Sequence, residues 1–333
     1  MIRLRKIDHV CLNVADVADA TRRYALQFGF TVREQDADRA TLACDYEPYS
    51  LELVRTDDDA ELGFAHCAWQ LRRSVSLDAA RAHLRGVGTA FDDRGDVVVV
   101  RDPEGFEHHL GAFVHEDDRR PAIARQTTTL PGLRPRKLGH INRLTGDMAA
   151  ATAFYTDVLG MDVADYLDGA GTWLHCSPEH HQVALVDAGR AHFHHFALDY
   201  YDWGTLRSLF DGLAQHGRWL SWGPVRHGIG QNICGYVRIT EEPLHVECYV
   251  DMELLEDEHE PRQWPDDRFS SNTWGPLPPR SYFRFDAAAI ESERESRETR
   301  GIPLPPPAGG LILGDDSHHR RPYRPAVPGR PGG

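Results

Sequence analysis

The sequence predicts an α+β fold made of four βαβββ-like modules, arranged as two pairs that each form an open barrel around a pocket. Two observations predict it. The first is a long-range repeat: "IDHVCLNVADVADATRRYALQFGFTV" begins at Ile7 and "LGHINRLTGDMAAATAFYTDVLGMDV" begins at Leu138. Counted from His9 and His140, each carries an Asp seven residues on (Asp16, Asp147), a Tyr fifteen on (Tyr24, Tyr155) and a Gly twenty on (Gly29, Gly160). Coincident offsets of this kind mark a duplication. The second is a half-period repeat, Phe-x-His-x-Ala, found as Phe64, His66 and Ala68 in "ELGFAHCAWQL" and as Phe193, His195 and Ala197 in "RAHFHHFALDY".

Each module reads as strand, helix, then short strands. An alternating apolar strand carries the leading histidine, and Asp16 or Asp147 is placed to N-cap a helix of about three turns. Gly29 or Gly160 lets the chain leave that helix in a left-handed conformation. Short β segments follow, such as "ATLACDY", "SLELV", "TWLHC" and "QVALVD". The half-period strands are each followed by a helical pattern, "SLDAARAHLRGVG" and "WGTLRSLFDGLAQHG", and by strands ending at "FEHHLGAF" and "LHVECYV". This organisation sets residues 1–115 as an N-terminal domain and 136–285 as a C-terminal domain with a lid segment. Between them, 116–135 is a polar, proline-containing linker. From 286 to 333 a charged helix, "DAAAIESERESRETR", gives way to Pro/Gly-rich sequence too poor in apolar residues for a packed core.

A net charge of −14 argues against a nucleic-acid partner, because phosphate binding is driven by cationic side chains that release counterions. The N-terminus enters a strand without an apolar signal core, and no apolar run approaches a membrane span. The six cysteines show no C-x-x-C pairing and sit in apolar strand-like segments. They read as buried free thiols in a reducing compartment, so the expected location is cytoplasmic.

The repeat picks out His140, His195 and Glu247, one on each of three module-edge strands. Two neutral imidazoles and one carboxylate are the donor set of non-haem Fe(II) oxygenases, with positions left open for substrate and dioxygen. Paired βαβββ modules with this set resemble the vicinal oxygen chelate superfamily. The two-domain length resembles its type I extradiol ring-cleaving dioxygenases, the catechol 2,3-dioxygenase group, across residues ~5–285. The pattern is most similar to the homoprotocatechuate 2,3-dioxygenase branch. "GHIN" puts Asn142 two residues after the first ligand, "TWLHCSPEHH" puts Trp173 eight before His181, and "RHGIGQNICGYV" spans His227 to Tyr236. "NTWGPLPPRSYF" resembles the branch's C-terminal segment that closes over the site.

The resemblance implies roles residue by residue. His140, His195 and Glu247 would hold Fe(II), or Mn(II) on the same ligands; His181 would face the bound dioxygen and carry a proton. His227 and Tyr236 would hydrogen-bond the substrate oxygens, with Asn142 behind the ligands. The implied partners are a catecholic small molecule and O2, and the implied assembly a homo-oligomer. The activity is that of an oxidoreductase acting on single donors with incorporation of two oxygen atoms.

The chain departs from the family pattern in four places. Gly235 precedes the tyrosine where an apolar residue is usual, and "VRITEEPLHVE" is one residue longer before the glutamate. The span from His181 to His195 is one shorter. Trp222 stands where the branch has an Arg that receives a substrate carboxylate. The two length changes fall in hairpin turns and leave the strand positions intact, and Trp222 suggests a substrate without that carboxylate or one bound differently.

Strand alternation turns His194 away from His195, leaving it a supporting role at most. His192 reads as a surface residue, His175 and His180 as solvent-facing or rim residues, and His245 as structural. In the N-terminal half, His9, His66 and His109 occupy ligand-equivalent positions, either as a vestigial pocket or as a second, all-histidine metal site. Competing functions are a glyoxalase-like isomerase, a hydroquinone-cleaving dioxygenase, or a metal-free binding protein of the resistance type; the intact donor triad speaks against the last.

Overall fold

The computed structural model describes residues 1–45, 47–114 and 133–283. The expected linker falls mostly outside the described residues, and the expected helix and tail beyond 285 fall wholly outside them.

The first half runs β1 (Leu4–Val14), α1 (Val17–Phe28), β2 (Thr31–Gln35), β3 (Arg39–Ala43) and β4 (Leu51–Arg55). It continues through β5 (Gly63–Leu71), α2 (Leu77–Gly86), β6 (Phe91–Asp93), β7 (Val97–Arg101) and β8 (Glu107–Gly111). The second half repeats the pattern with β9 (Lys137–Thr145), α3 (Met148–Ala153), β10 (Asp162–Leu167), β11 (Gly171–His175) and β12 (Val183–Asp187). Then come β13 (His192–Asp199), α4 (Trp203–Gln215), β14 (Leu220–Arg226), β15 (Ile233–Ile239) and β16 (Leu244–Val250). A short β17 (Arg262–Trp264) and α5 (Arg268–Ser271) follow.

The strands form two open sheets, ordered β2-β3-β4-β1-β5-β8-β7-β6 and β14-β15-β16-β13-β9-β12-β11-β10-β17. In each, the two modules meet antiparallel at the centre, β1 on β5 and β9 on β13. Each module then brings its last strand back parallel to its first: β4 on β1, β8 on β5, β12 on β9 and β16 on β13. The fold is thus α+β with few helices.

The caps behave as the repeat predicts. Asp16 accepts from the Asp19 amide and Asp147 from the Ala150 amide, and the chain turns at Gly29 (φ 79°) and Gly160 (φ 67°). One helix differs from expectation: α3 is only six residues long and finishes as a π-helical turn, Phe154–Val158. The Thr156 hydroxyl donates to the Thr152 carbonyl (3.2 Å), taking the acceptor that the regular ladder would use.

One apolar core runs through both halves. Phe64 stacks on Phe193 with centroids 4.1 Å apart and planes 11° apart. These residues are equivalent in the repeat, and a residue that meets its own counterpart lies on a two-fold relation between the halves. Polar ties reinforce the contact. Glu242, in the turn joining β15 to β16, accepts from Arg23 Nη2 (2.6 Å) and from the Tyr24 hydroxyl (3.1 Å) on α1. Glu242→Ala would take the acceptor from Arg23 Nη1 and Nη2 and from the Tyr24 phenol, while Arg23 Nε keeps Asp19. The expected loss is about 3 kcal/mol of unfolding free energy, read from urea denaturation.

Candidate metal centre and active-site pocket

The second sheet builds the site from two neighbouring rows of its ladder. One row runs Tyr236, Glu247, Ala197, His140 across β15, β16, β13 and β9. The other runs His245, His195, Asn142, Ala184 across β16, β13, β9 and β12. The long loop before Leu244 lies wholly in the hairpin turn, so the extra residue leaves Tyr236 directly opposite Glu247. Gly235 also has a reason: a Cβ there would lie 2.7 Å from Phe210 Cζ on α4.

His140, His195 and Glu247 each offer a ligand atom within 4.8 Å of the others, all buried. Glu247 Oε2 lies 2.9 Å from His140 Nε2 and 3.1 Å from His195 Nε2. Two donors bound at right angles to an ion at about 2.1 Å are about 3.0 Å apart, so the spacing suits a six-coordinate divalent ion. Burial opposes ionisation of Glu247, but the two histidines hold its carboxyl well below the usual range.

The tautomer of His195 follows from its partners. His194 Nε2–H donates to the Tyr282 carbonyl (2.8 Å), so the neutral His194 ring has only Nδ1 left, as an acceptor. His195 Nδ1–H must then donate to His194 Nδ1 (2.7 Å). That leaves His195 Nε2 a bare lone pair, buried without a hydrogen-bond partner and facing a carboxylate oxygen. Two buried acceptors at this distance call for a cation between them. Burial pushes the His195 imidazole down to about 4, so it is neutral and free to ligate. Asn232 Nδ2–H orients the other carboxylate oxygen of Glu247 (2.8 Å).

His194 therefore departs from its expected place. The β13–β9 pairing shifts register between Phe193 and His195, and this bulge lets neighbouring rings share a side instead of alternating. His194 is buried and stacks on His245 (4.8 Å), which is likewise buried and outside the ligand cluster.

A cavity of about 130 Å³ adjoins the triad, lined by Asn142, Trp173, His181, Trp222, His227 and Tyr236 among others. His227 Nδ1–H donates to the Ser271 carbonyl (2.7 Å), so the Tyr236 hydroxyl donates to His227 Nε2 (2.8 Å). Burial lowers the His227 imidazole and raises the Tyr236 phenol well above its usual value. Trp222 lies flat against Tyr236 (5.0 Å, 10°) and donates its indole N–H to the Pro276 carbonyl. Tyr282 and Phe283 line the cavity, whereas Trp274 of the same C-terminal segment is exposed.

His181 is buried, and burial together with His140 and His180 pushes its imidazole well below the usual value. Its Nδ1 lies 2.9 Å from His180 Nδ1, and His180 Nε2–H donates to Asp165 Oδ2 (2.9 Å). His180 is fully buried, not solvent-facing. Asp165 also receives Arg262 and the Trp264 indole from β17, and its carboxyl is lowered to about 2 despite its burial. The tandem His180-His181 was visible in the sequence; Asp165, fifteen residues away on another strand, carried no signal. Of the remaining histidines, His192 is half-buried on the Pro243 carbonyl and His175 on the Ser177 carbonyl, so neither is a free surface ring.

Residues 137–243, which span most of this site, match the family model of the Glyoxalase/Bleomycin resistance protein/Dioxygenase superfamily. The chain contains a domain of that superfamily.

Other likenesses extend beyond the superfamily domain. Metapyrocatechase of Geobacillus stearothermophilus is 26% identical over 213 residues, 58% of this chain and just under two thirds, 64%, of that protein. Metapyrocatechase 2 of Cupriavidus necator is 27% identical over 310 residues, 84% of this chain and 92% of that one. Among solved structures, homoprotocatechuate 2,3-dioxygenase from Arthrobacter globiformis superposes with a TM-score of 0.73 at 21% identity, covering 85% and 92% of the two chains. The Mn(II)-bound glyoxalase from Novosphingobium aromaticivorans superposes with a TM-score of 0.72 at 22% identity, covering 84% and 94%. The likeness in fold to these structures thus extends over both halves.

The donor geometry of this superfamily domain generates a direct test. Glu247→Ala should abolish metal retention in the C-terminal half, read by elemental analysis after dialysis. Asn232→Ala, which only frees the carboxylate to rotate, should weaken metal affinity by about 10- to 100-fold in competition with a chelator.

Proposed function

We propose that the chain is a non-haem Fe(II)-dependent extradiol dioxygenase that opens a catecholic ring with O2. The observation that carries this reading is the two-histidine, one-carboxylate donor set facing a cavity ringed by His181, His227 and Tyr236. A divalent ion on His140, His195 and Glu247 supplies a Lewis-acidic anchor for the two catechol oxygens and a path for electrons to O2. Mn(II) suits the same donors, and one relative is a manganese-dependent 2,3-dihydroxybiphenyl 1,2-dioxygenase from Geobacillus genomosp. 3.

The chain's own residues move the protons. Tyr236 Oη accepts a proton from a catechol hydroxyl as its own passes to His227 Nε2, and the Ser271 carbonyl holds the resulting imidazolium. Asn142 Oδ1, buried without a partner, is free to accept from substrate. His181 presents Nε2 to the cavity as a base while its Nδ1–H donates to His180; a proton returned by His180 makes it an acid. Asp165 accepts from His180 Nε2 and holds that ring in line with His181.

The cavity is close in size to one that admits benzene, which favours a single-ring substrate. Trp222 and Trp173 make its wall apolar, which favours a catechol bearing no carboxylate. The metal-dependent chemistry belongs to the C-terminal half, with the N-terminal half outside the reaction. Six buried, unpaired thiols fit the reducing cytoplasm.

Anaerobic purification with Fe(II), followed by O2 uptake and near-UV/visible spectra over a panel of catechols, tests the reading. A coloured ring-opened product is expected; no uptake with any catechol by protein holding one iron in the C-terminal half would overturn it. Asp165→Asn should lower kcat by about tenfold or more with little change in the catechol KM, because the carboxylate acts on His181 through His180 and never touches substrate.

A further inference from the structure

We propose that the N-terminal half carries a second divalent-metal site, formed by His9 on β1, Glu52 on β4 and His66 on β5. Their ligand atoms lie within 4.8 Å of one another. His9 and His66 occupy the places that His140 and His195 hold in the other half: His9 pairs with Ala68 as His140 pairs with Ala197. The third donor has moved. His109 sits at the Glu247 position, opposite Ala68, but its Nε2 turns to Glu107 (2.7 Å) and its ring stacks on His66 (3.7 Å, 14°). The carboxylate comes from β4 instead, where Glu52 pairs with Cys11; the corresponding residue of the other half is Ala184. The all-histidine set is therefore replaced by two histidines and a glutamate.

Each donor is oriented from behind. His9 Nδ1 is held by Asp8 Oδ2 (2.9 Å), and Asp8 is in turn held by Gln70 (2.5 Å), which leaves His9 Nε2 facing inward. A carboxylate behind a ligating imidazole is the usual support of a metal-bound histidine. Arg39 occupies Glu52 Oε1 (2.5 Å), leaving Oε2 at 3.4 Å from His9 Nε2 and 4.0 Å from His66 Nε2. Two donors on a four-coordinate ion at about 2.05 Å are about 3.4 Å apart, so His9 and Glu52 already match and His66 must close on Glu52 by about 0.6 Å. The side chain of His66 is 15% exposed and its ring stacks on that of His109, so the movement is a small slide along that ring. The donors suit a borderline ion such as Zn(II) or Co(II), with water in the fourth position. The wider spacing distinguishes this site from the six-coordinate spacing of the C-terminal triad.

The competing occupant is a proton on His9, shared between Asp8 and Glu52. Metal counting on full-length protein, stripped with chelator and reloaded with Zn(II), decides between them, with far-UV circular dichroism confirming that each variant is folded. Two ions are expected for the wild type and one for Glu52→Gln and for His66→Ala. The double variant His140→Ala/Glu247→Ala should retain one, and its Co(II) form should show the intense visible absorption of four-coordinate cobalt. Zn(II) should also raise the melting temperature of that double variant, but not once His66→Ala is added. One ion in both wild type and Glu52→Gln would overturn the proposal. So would two ions in both Glu52→Gln and His66→Ala, or none in the double variant. O2 uptake on catechols is read separately and bears only on the C-terminal centre.

Discussion

A lone pair facing a carboxylate is the constraint around which the second half is organised. The Tyr282 carbonyl forces His194 to donate from Nε2, His194 forces His195 to donate from Nδ1, and His195 Nε2 is left bare against Glu247. No protein donor reaches it, and a cation between the two acceptors would satisfy both. The bulge at His194 belongs to this arrangement. A regular strand would put the two rings on opposite faces and leave the ligand free to choose either tautomer.

The same device recurs at the other adjacent pair. His180 stands behind His181 as His194 stands behind His195, again nitrogen to nitrogen. The terminators differ, and the difference separates the roles. His194 ends on a neutral carbonyl, which fixes a tautomer and stores no proton. His180 ends on Asp165, a carboxylate, so a proton can move along the pair and His181 Nε2 can face the cavity either bare or protonated. The segment after β17 reaches both clusters through its backbone: the Tyr282 carbonyl fixes His194 and through it the His195 tautomer, and the Ser271 carbonyl fixes His227. Docking of that segment is thus coupled to the protonation pattern of the pocket, and not only to its closure.

Much of this was legible in the residues. The duplication placed His140 and His195 without reference to any structure, because a ligand strand must repeat when its module repeats. Caps at Asp16 and Asp147 and left-handed turns at Gly29 and Gly160 followed from local chemistry. What escaped were interactions that no periodicity encodes. The bulge at His194 is a tertiary choice between two faces, and Asp165 reaches His180 from a strand that sequence spacing does not pair with it. Glu52 was missed because the donors were sought at the same offsets in both halves, whereas β4 and β16 supply their carboxylates from opposite sides of the central strands.

That last difference bears on what duplication preserves. The repeat conserves the places from which side chains can converge, since each module offers one position on its first strand and one on its last. It does not conserve which of those places carries the charge. In the second half the carboxylate stands beside His195's strand and faces Tyr236, within the proposed proton path. In the first half it stands on the far side of β1, tied to Arg39, with no tyrosine–histidine pair opposite. The donors alone therefore do not define a catalytic centre. Beside an ion held by His9, Glu52 and His66, the place of Tyr236 is taken by Val99 and that of His181 by Tyr49, whose ring lies 4.7 Å from His9. The histidine proton carrier is thus missing, and the ion's work would be to bind β1, β4 and β5 together at the middle of the sheet.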